Sequence, residues 1–395
     1  MYKINICLQI FICYDIIGVV VRITLIHTDT LIIERRITMA DGTFYDGTKL
    51  LSMKDLNGDT PEIFMCTSNR SAGKTTYFGR LLMNRWFKDR KKFCLIYRFN
   101  YELDGVADKF FKDIQYLFFP DWRMQSKRMA NGIFHSLYVA RKDADDKDAT
   151  GWDFCGYAIT LNSADQLKKY SHFFSDVEGM LFDEFQSETN HYCSNEVTKF
   201  VSIHTSIARG AGKQVRYVPV YMISNPVSII NPYYVELGIS ERLQTDTKFL
   251  KGDGFVLEQG YNQVVSSLQK ESPFNRAFAQ NKYTNYASEG VYLNDNLSFV
   301  DRPFGNSRYL ATIRYEGKDY ALRAYDSEGI IYCDTHDDST FTYRIAVTTN
   351  DHRVNYVMLE RNDSFIGQMR YFFEHGCFRF RDLKCKEAVM KLISY

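Results

Sequence analysis

Residues 67–78 read TSNRSAGKTTYF, and within them Gly73, Lys74 and Thr75 are the residue types a phosphate-binding loop uses. A glycine at 73 lets main-chain N–H groups approach phosphate oxygens. The Lys74 ammonium neutralises β/γ charge, and the Thr75 hydroxyl can coordinate Mg²⁺. The usual pattern, G-x-x-x-x-G-K-[ST], opens on glycine, and Ser68 stands in that place here. Serine still makes a turn. The expected ligands are therefore ATP and Mg²⁺, cradled by Asn69, Arg70, Ser71, Ala72, Gly73, Lys74, Thr75 and Thr76.

The run GMLFDEF supplies the acids. Asp183, at the end of an apolar strand, stands where a parallel sheet delivers a carboxylate to Mg²⁺, directly or through water. Glu184 can polarise a water for attack on the γ-phosphate. Such a pair favours hydrolysis over transfer to a small substrate. In MISNP, Ser224 and Asn225 end the next long strand and are candidate sensors of the γ-phosphate. Phosphoryl transfer commonly takes a further cation from outside the loop, sometimes from another subunit. Arg209, at the end of a helix before the small segment GAGKQ, is the first candidate and Arg216 the second.

These groups need a scaffold that brings strand ends together. EIFMCTS reads as a buried strand, GKTTYFGRLLMNRWFKD as a helix with Phe78, Leu81, Leu82 and Trp86 on its apolar side, and FCLIYR as another strand. The pattern predicts a helix over 103–117, then GIFHSLYVA and GWDFCGYAITLN as a hairpin inserted between the main strands, with RKDADDKDATG at its tip. GMLFDE is a strand, SNEVTKFVSIHTSIAR a helix capped by Ser194 or Asn195, and VRYVPVYMISN the last long apolar run. Alternation of this kind predicts a mostly parallel sheet covered on both faces. Residues 39–230 form this first domain. Residues 231–300 read as a linker or lid region with one amphipathic helical stretch near Val256–Gln269. From 301 to 395 a smaller α+β domain follows: a meander over RYLATIRYEGKDYALRAYDSEGIIYCDT, a fourth strand near 341–347, a helix over 364–375, the strand FRFRD and a last helix KCKEAVMKLIS.

The formal net charge of +1 excludes a global positive field, so any contact with nucleic acid must be local or concentrated by assembling copies. The basic run from Arg80 to Arg98 reads as a solvated helix face. The cysteines are scattered without a CxxC pair, so neither a zinc ribbon nor a secreted disulfide framework is indicated, and a reducing compartment is the simplest expectation. His375, Cys377 and Cys385 lack ligand spacing. Asp15 and Arg22 interrupt the β-branched segment over 4–33 before it reaches the length of a membrane span. Met39 is a natural start, and residues 1–38 read as an upstream extension that carries no function.

SNRSAGKTT, with Arg70 four positions before the lysine, resembles the altered phosphate loop of large-terminase ATPases, which implies a catalytic role for Arg70 beside Lys74 and Glu184. FYDGTKLLS, FCLIYRFNYEL, GMLFDEF, ISNPVSIINPYY and GIIYCDTHDDST together resemble the DNA-packaging ATPases, or encapsidation proteins, of small short-tailed phages. The resemblance implies an additional-strand (ASCE) P-loop ATPase domain followed by a vestigial RNase H-like nuclease domain. It implies a homo-oligomeric ring, usually a pentamer, at the portal vertex of an empty capsid in the host cytoplasm. That ring would drive double-stranded DNA inward by ATP hydrolysis, in some members with a structural packaging RNA, and be absent from the mature virion. By position, Lys74 and Thr75 match the loop, Asp183 and Glu184 the Mg²⁺ and catalytic acids, and Arg209 a finger acting in trans. Lys168 and Lys169 are candidate DNA contacts. Two other readings stand beside this one: a terminase large subunit with a working nuclease, and a P-loop switch or scaffold that does no translocation. The first strand of the C-terminal domain, RYLATIRY, holds no acid, and Asp334, Asp337 and Asp338 cluster in one loop, a poor arrangement for two-metal cleavage.

Overall fold

The computed structural model describes residues 44–143, 151–210, 212–240, 242–243, 247–289, 292–293, 300–360 and 362–394. Residues 1–38 and most of the expected hairpin tip lie outside them.

The chain enters through a short helix, α1 (Thr48–Ser52), and the strand β1 (Ile63–Thr67). Then come α2 (Lys74–Asp89), β2 (Lys92–Tyr97) and α3 (Val106–Phe118). Helix α2 buries Phe78, Leu82, Met83 and Trp86. Met83 takes the place expected for Leu81, which is only half-buried. Three antiparallel strands follow, β3 (Trp122–Met129), β4 (Phe134–Arg141) and β5 (Asp153–Thr160). They extend one edge of the sheet through a parallel pairing of β5 with β2, and so are not an insertion between main strands. The chain continues through α4 (Ala164–Leu167), β6 (Val177–Asp183), α5 (Glu196–Ile207), β7 (Val220–Ser224) and α6 (Pro232–Glu236). Asn195 occupies the cap position of α5 in a left-handed conformation, φ 52°, without a side-chain cap bond.

The region expected as linker and lid contributes to the sheet. Strand β8 (Phe249–Lys251) pairs with β9 (Phe255–Gln259), and β9 lies parallel to β1 in register Ile63↔Phe255 to Thr67↔Gln259. Phe255, Val256 and Leu257 are buried and adjacent, which suits a strand covered on both faces and is ambiguous with helix when read by period alone. The helical stretch starts later, as α7 (Gln263–Glu271), followed by α8 (Pro273–Ala277) and α9 (Lys282–Glu289).

The resulting nine-stranded sheet runs β3-β4-β5-β2-β6-β7-β1-β9-β8. Alternate residues of its central strands feed two cores: Met65, Ile96, Phe182 and Met222 on one face, Phe64, Leu95, Leu181 and Tyr221 on the other. This is the pattern of a sheet with helices on both sides. β7 lies between β1 and β6, so the acidic strand is one strand removed from the loop strand, the additional-strand order that the resemblance implies.

The second, smaller sheet, ordered β13-β10-β11-β12-β14, is built from β10 (Arg308–Tyr315), β11 (Lys318–Tyr325), β12 (Ile330–Asp334), β13 (Arg344–Ala346) and β14 (Phe378–Phe380). β10 to β12 are the antiparallel meander, turned at Glu316 (φ 50°) and Gly317 (φ 76°), and β13 joins β10 in parallel. Helices α10 (Ser364–Glu374) and α11 (Leu383–Ile393) cover it. The two units touch where Asn195 N donates to Ser394 O and Lys386 Nζ to Ser228 Oγ.

Candidate functional site

The parallel strands β1, β6 and β7 end together, and their ends carry the residues singled out from the sequence. Gly73 opens α2 with φ 90°, and a Cβ there would lie 2.8 Å from the Phe44 ring, so both backbone and space demand glycine. The Lys74 ammonium is buried and folds back on its own loop. It donates to Ser68 O (3.0 Å), Ser68 Oγ (2.9 Å), Asn69 O (3.2 Å) and Asn225 Oδ1 (3.3 Å). Burial pulls its pKa below the usual lysine value.

Thr75 Oγ1 donates to Asp183 Oδ2 at 2.9 Å, so the hydroxyl and carboxylate meant for one cation meet across the sheet. Burial raises the Asp183 pKa, against the lowering effects of Thr75, Lys74 and the Glu184 N–H. A hydroxyl and a carboxylate side by side are the kind of hard oxygen ligands that Mg²⁺ takes. Glu184 holds a left-handed conformation, φ 56°, and its N–H donates to Asp183 Oδ1 at 2.9 Å. Its pKa is raised by burial first, then by Asp183 and Glu188. Of the two sensor candidates, Asn225 faces Lys74, whereas the buried Ser224 hydroxyl donates to Asn225 O.

The sequence did not expose what holds the acidic turn. Arg98, counted above in a solvated basic run, is buried. Its guanidinium grips Glu196 at 2.8–3.0 Å and donates to the carbonyls of Glu184 (3.3 Å) and Phe185 (2.9 Å). Glu196 also accepts from Cys193 N and Tyr233 OH. An arginine ending an apolar strand was the available signal. Its buried partner lay too far along the chain to be paired by pattern.

Helices α7 and α9 lie against the phosphate loop. The buried Asn69 carboxamide accepts from Asn262 N (2.8 Å) and donates to Asn262 O (3.1 Å), so the Asn69 side chain serves the scaffold and leaves only its main chain for a ligand. Arg70 N donates to Ala287 O at 3.1 Å, and its guanidinium pairs with Glu188.

Arg209 is exposed and lies apart from this group. Helix α5 runs from the acidic turn back to the opposite edge of the sheet, where Arg216 binds the carbonyls of Val177 and Ile207. β6 spans seven residues between those edges, about 20 Å at ~3.3 Å per residue, so Arg209 does not reach the loop of its own chain. Arg216 is occupied in closing the end of α5. Lys168 and Lys169 are exposed, and Lys168 borders a small recess with Ser206 and Ile207, on the Arg209 side.

In the second domain the acids are neutralised by arginines or used in a turn. The buried Asp334 carboxylate lies 3.7 Å from Arg323 and 4.0 Å from Arg302, Asp337 accepts from Arg344 at 2.9 Å, and Asp338 caps Thr340.

Comparison with known proteins places these observations. Residues 39–394 match the family described as podovirus DNA encapsidation protein (Gp16). The DNA packaging protein of Bacillus phage phi29 is 24% identical over 347 residues, covering 87% of this chain and 94% of that protein. That of Bacillus phage B103 is 24% identical over 330 residues, covering 82% and 93%. Among solved structures, the Phi-28 gp11 DNA packaging motor superposes with a TM-score of 0.54 at 16% identity, covering 90% of this chain and 99% of that one.

Proposed function

The chain belongs to the podovirus DNA encapsidation protein (Gp16) family, and from that premise we propose that it is the ATP-hydrolysing subunit of a ring that drives double-stranded DNA into a preformed capsid. One observation carries the reading: Lys74, Thr75, Asp183 and Glu184, from separate stretches of sequence, meet at one end of one sheet.

In this reading Lys74 leaves its loop acceptors for the β- and γ-phosphates, and the N–H groups at the start of α2 face the phosphate oxygens. Thr75 and Asp183 would hold Mg²⁺, which would supply positive charge to the phosphates during transfer. Glu184, beside the metal-holding carboxylate, takes a proton from the attacking water. Asn225 is placed to exchange its lysine contact for the γ-phosphate. Arg209, remote from its own loop, fits a role on the nucleotide of the neighbouring subunit in a ring, with five members as the expected number. Lys168 and Lys169 remain proposed DNA contacts, and the portal vertex and, where present, a structural RNA remain proposed docking partners.

A switch or scaffold needs no acid beside the Mg²⁺ carboxylate, so Glu184 favours hydrolysis. A working nuclease needs free carboxylates, whereas Asp334 and Asp337 face arginines. The test is packaging of DNA into purified empty capsids with ATP. Wild-type chain should protect DNA from nuclease. Lys74→Ala should neither package nor hydrolyse, and Glu184→Gln should bind ATP without turning it over. Normal hydrolysis by Glu184→Gln would refute the assignment of the base.

A further inference from the structure

The left-handed conformation of Glu184 is one that an L-residue keeps only where its surroundings fix it. Arg98 grips one side of the turn. The other side is held by Gln186, two residues on, which is buried and whose Oε1 accepts from the main-chain N–H groups of Val227 (3.0 Å) and Ser228 (2.9 Å). Phe185 N also donates to Ile223 O at 3.3 Å. The turn that carries the acid is thereby sewn to the segment that follows β7. Buried N–H groups left without an acceptor are costly, so turn and segment keep their register only while Gln186 stands between them.

That segment, 225–231, is fastened in turn to the second domain. The Ser228 hydroxyl donates to Ile230 O (2.8 Å) and accepts from Lys386 Nζ (2.7 Å), an ammonium on α11 whose residue is 2% exposed. Ile230 is itself buried in the core beneath the small sheet. Gln186 and Lys386, from different domains, thus close on the same residue, one on its N–H and the other on its hydroxyl.

We propose that the second domain completes the hydrolytic site from behind: Lys386 fixes Ser228, Ser228 fixes Gln186, and Gln186 steadies the turn that aims Glu184. Gln186 and Lys386 are positioning residues that act through Glu184. The proposal rests on the reading of Glu184 as the base that activates water. A chain of contacts is a coupling only if both of its ends move the same quantity, which a double-mutant cycle measures. Contacts that served folding alone would change stability and leave turnover per folded site intact.

The experiment compares the full-length wild type with Gln186→Met, Lys386→Met and the double variant, measuring kcat and KM for ATP with DNA present. Folded sites are counted by titration with a fluorescent N-methylanthraniloyl ATP analogue and Mg²⁺. Each single variant should lower kcat by roughly tenfold, the scale of a buried hydrogen bond lost from the support of a catalytic group, with KM and affinity for the analogue unchanged. The double variant should fall no further than the lower single. Wild-type kcat in either single, or losses that multiply in the double, overturns the proposal. If Lys386→Met does not fold, Ser228→Ala, which removes only the hydroxyl that Lys386 holds, takes its place with the same expectation. Wild-type hydrolysis by Glu184→Gln would instead bring down the reading of the base, whatever the cycle gives.

Discussion

Arg98 and Glu196 are the buried charges nearest the acidic turn, with side chains 7% and 1% exposed. Removing one partner of such a pair leaves the other charge uncompensated and typically costs about 3–5 kcal/mol. Arg98→Met strands a carboxylate that keeps the Cys193 N–H (2.8 Å) and the Tyr233 hydroxyl (3.0 Å), so its cost should fall near about 3 kcal/mol. Glu196→Leu strands a guanidinium that keeps two carbonyls, and should cost as much or more. The double variant removes both charges at once. It should be less destabilised than the sum of the singles by about 2 kcal/mol. Urea unfolding of the four proteins at one pH gives the cycle, and additivity within about 0.5 kcal/mol would refute the claim that these charges compensate each other. The same variants carry a functional reading. Glu184 holds a left-handed conformation that costs an L-residue about 1–2 kcal/mol, and Arg98 fixes its carbonyl and that of Phe185. Arg98→Met should therefore lower the kcat for ATP far more than it changes ATP affinity. Arg98→Lys should not restore kcat, because a point ammonium cannot reproduce the planar fork.

Asp183 gives a prediction whose sign depends on pH. Its folded pKa is raised by burial, so the folded chain binds that proton more tightly than the unfolded chain. The group therefore costs stability as pH rises from the ordinary carboxylate value through the folded one. Metal-free Asp183→Asn should melt above wild type at neutral pH, and the gap should close under acid; a lower Tm at neutral pH would contradict the burial argument. For Arg209, mixing Arg209→Ala with Lys74→Ala subunits should recover part of the ATPase activity if the arginine serves a neighbour's nucleotide, and no recovery at any ratio would count against that role. Gly73→Ala should abolish nucleotide binding, since it strains a φ of 90° and drives a methyl into Phe44; retained binding would show that the loop tolerates another path.

What could be read from the sequence was chemistry held at fixed local spacing. Lys74 and Thr75 follow Gly73 directly, and Asp183 and Glu184 end a run of buried apolar residues, so one short window contains each motif and the element that presents it. Strands that break those local rules were lost. β3 reads WRMQSKRM, a polar edge strand with no apolar face to mark it. In β9 the apolar run is so brief that only its pairing with β1 separates strand from helix. The side chains that complete the site form a third class. Arg98, Glu188, Asn69 and Tyr286 have ordinary surroundings in sequence and acquire meaning only from partners on other elements. Reactive groups must sit at fixed offsets from the turn that aims them, whereas a supporting group can come from any segment that passes within reach. Legibility therefore falls from the loop to its supports, and the substitutions most informative about how the acidic turn is held are those at Arg98 and Glu196, which no motif would have chosen.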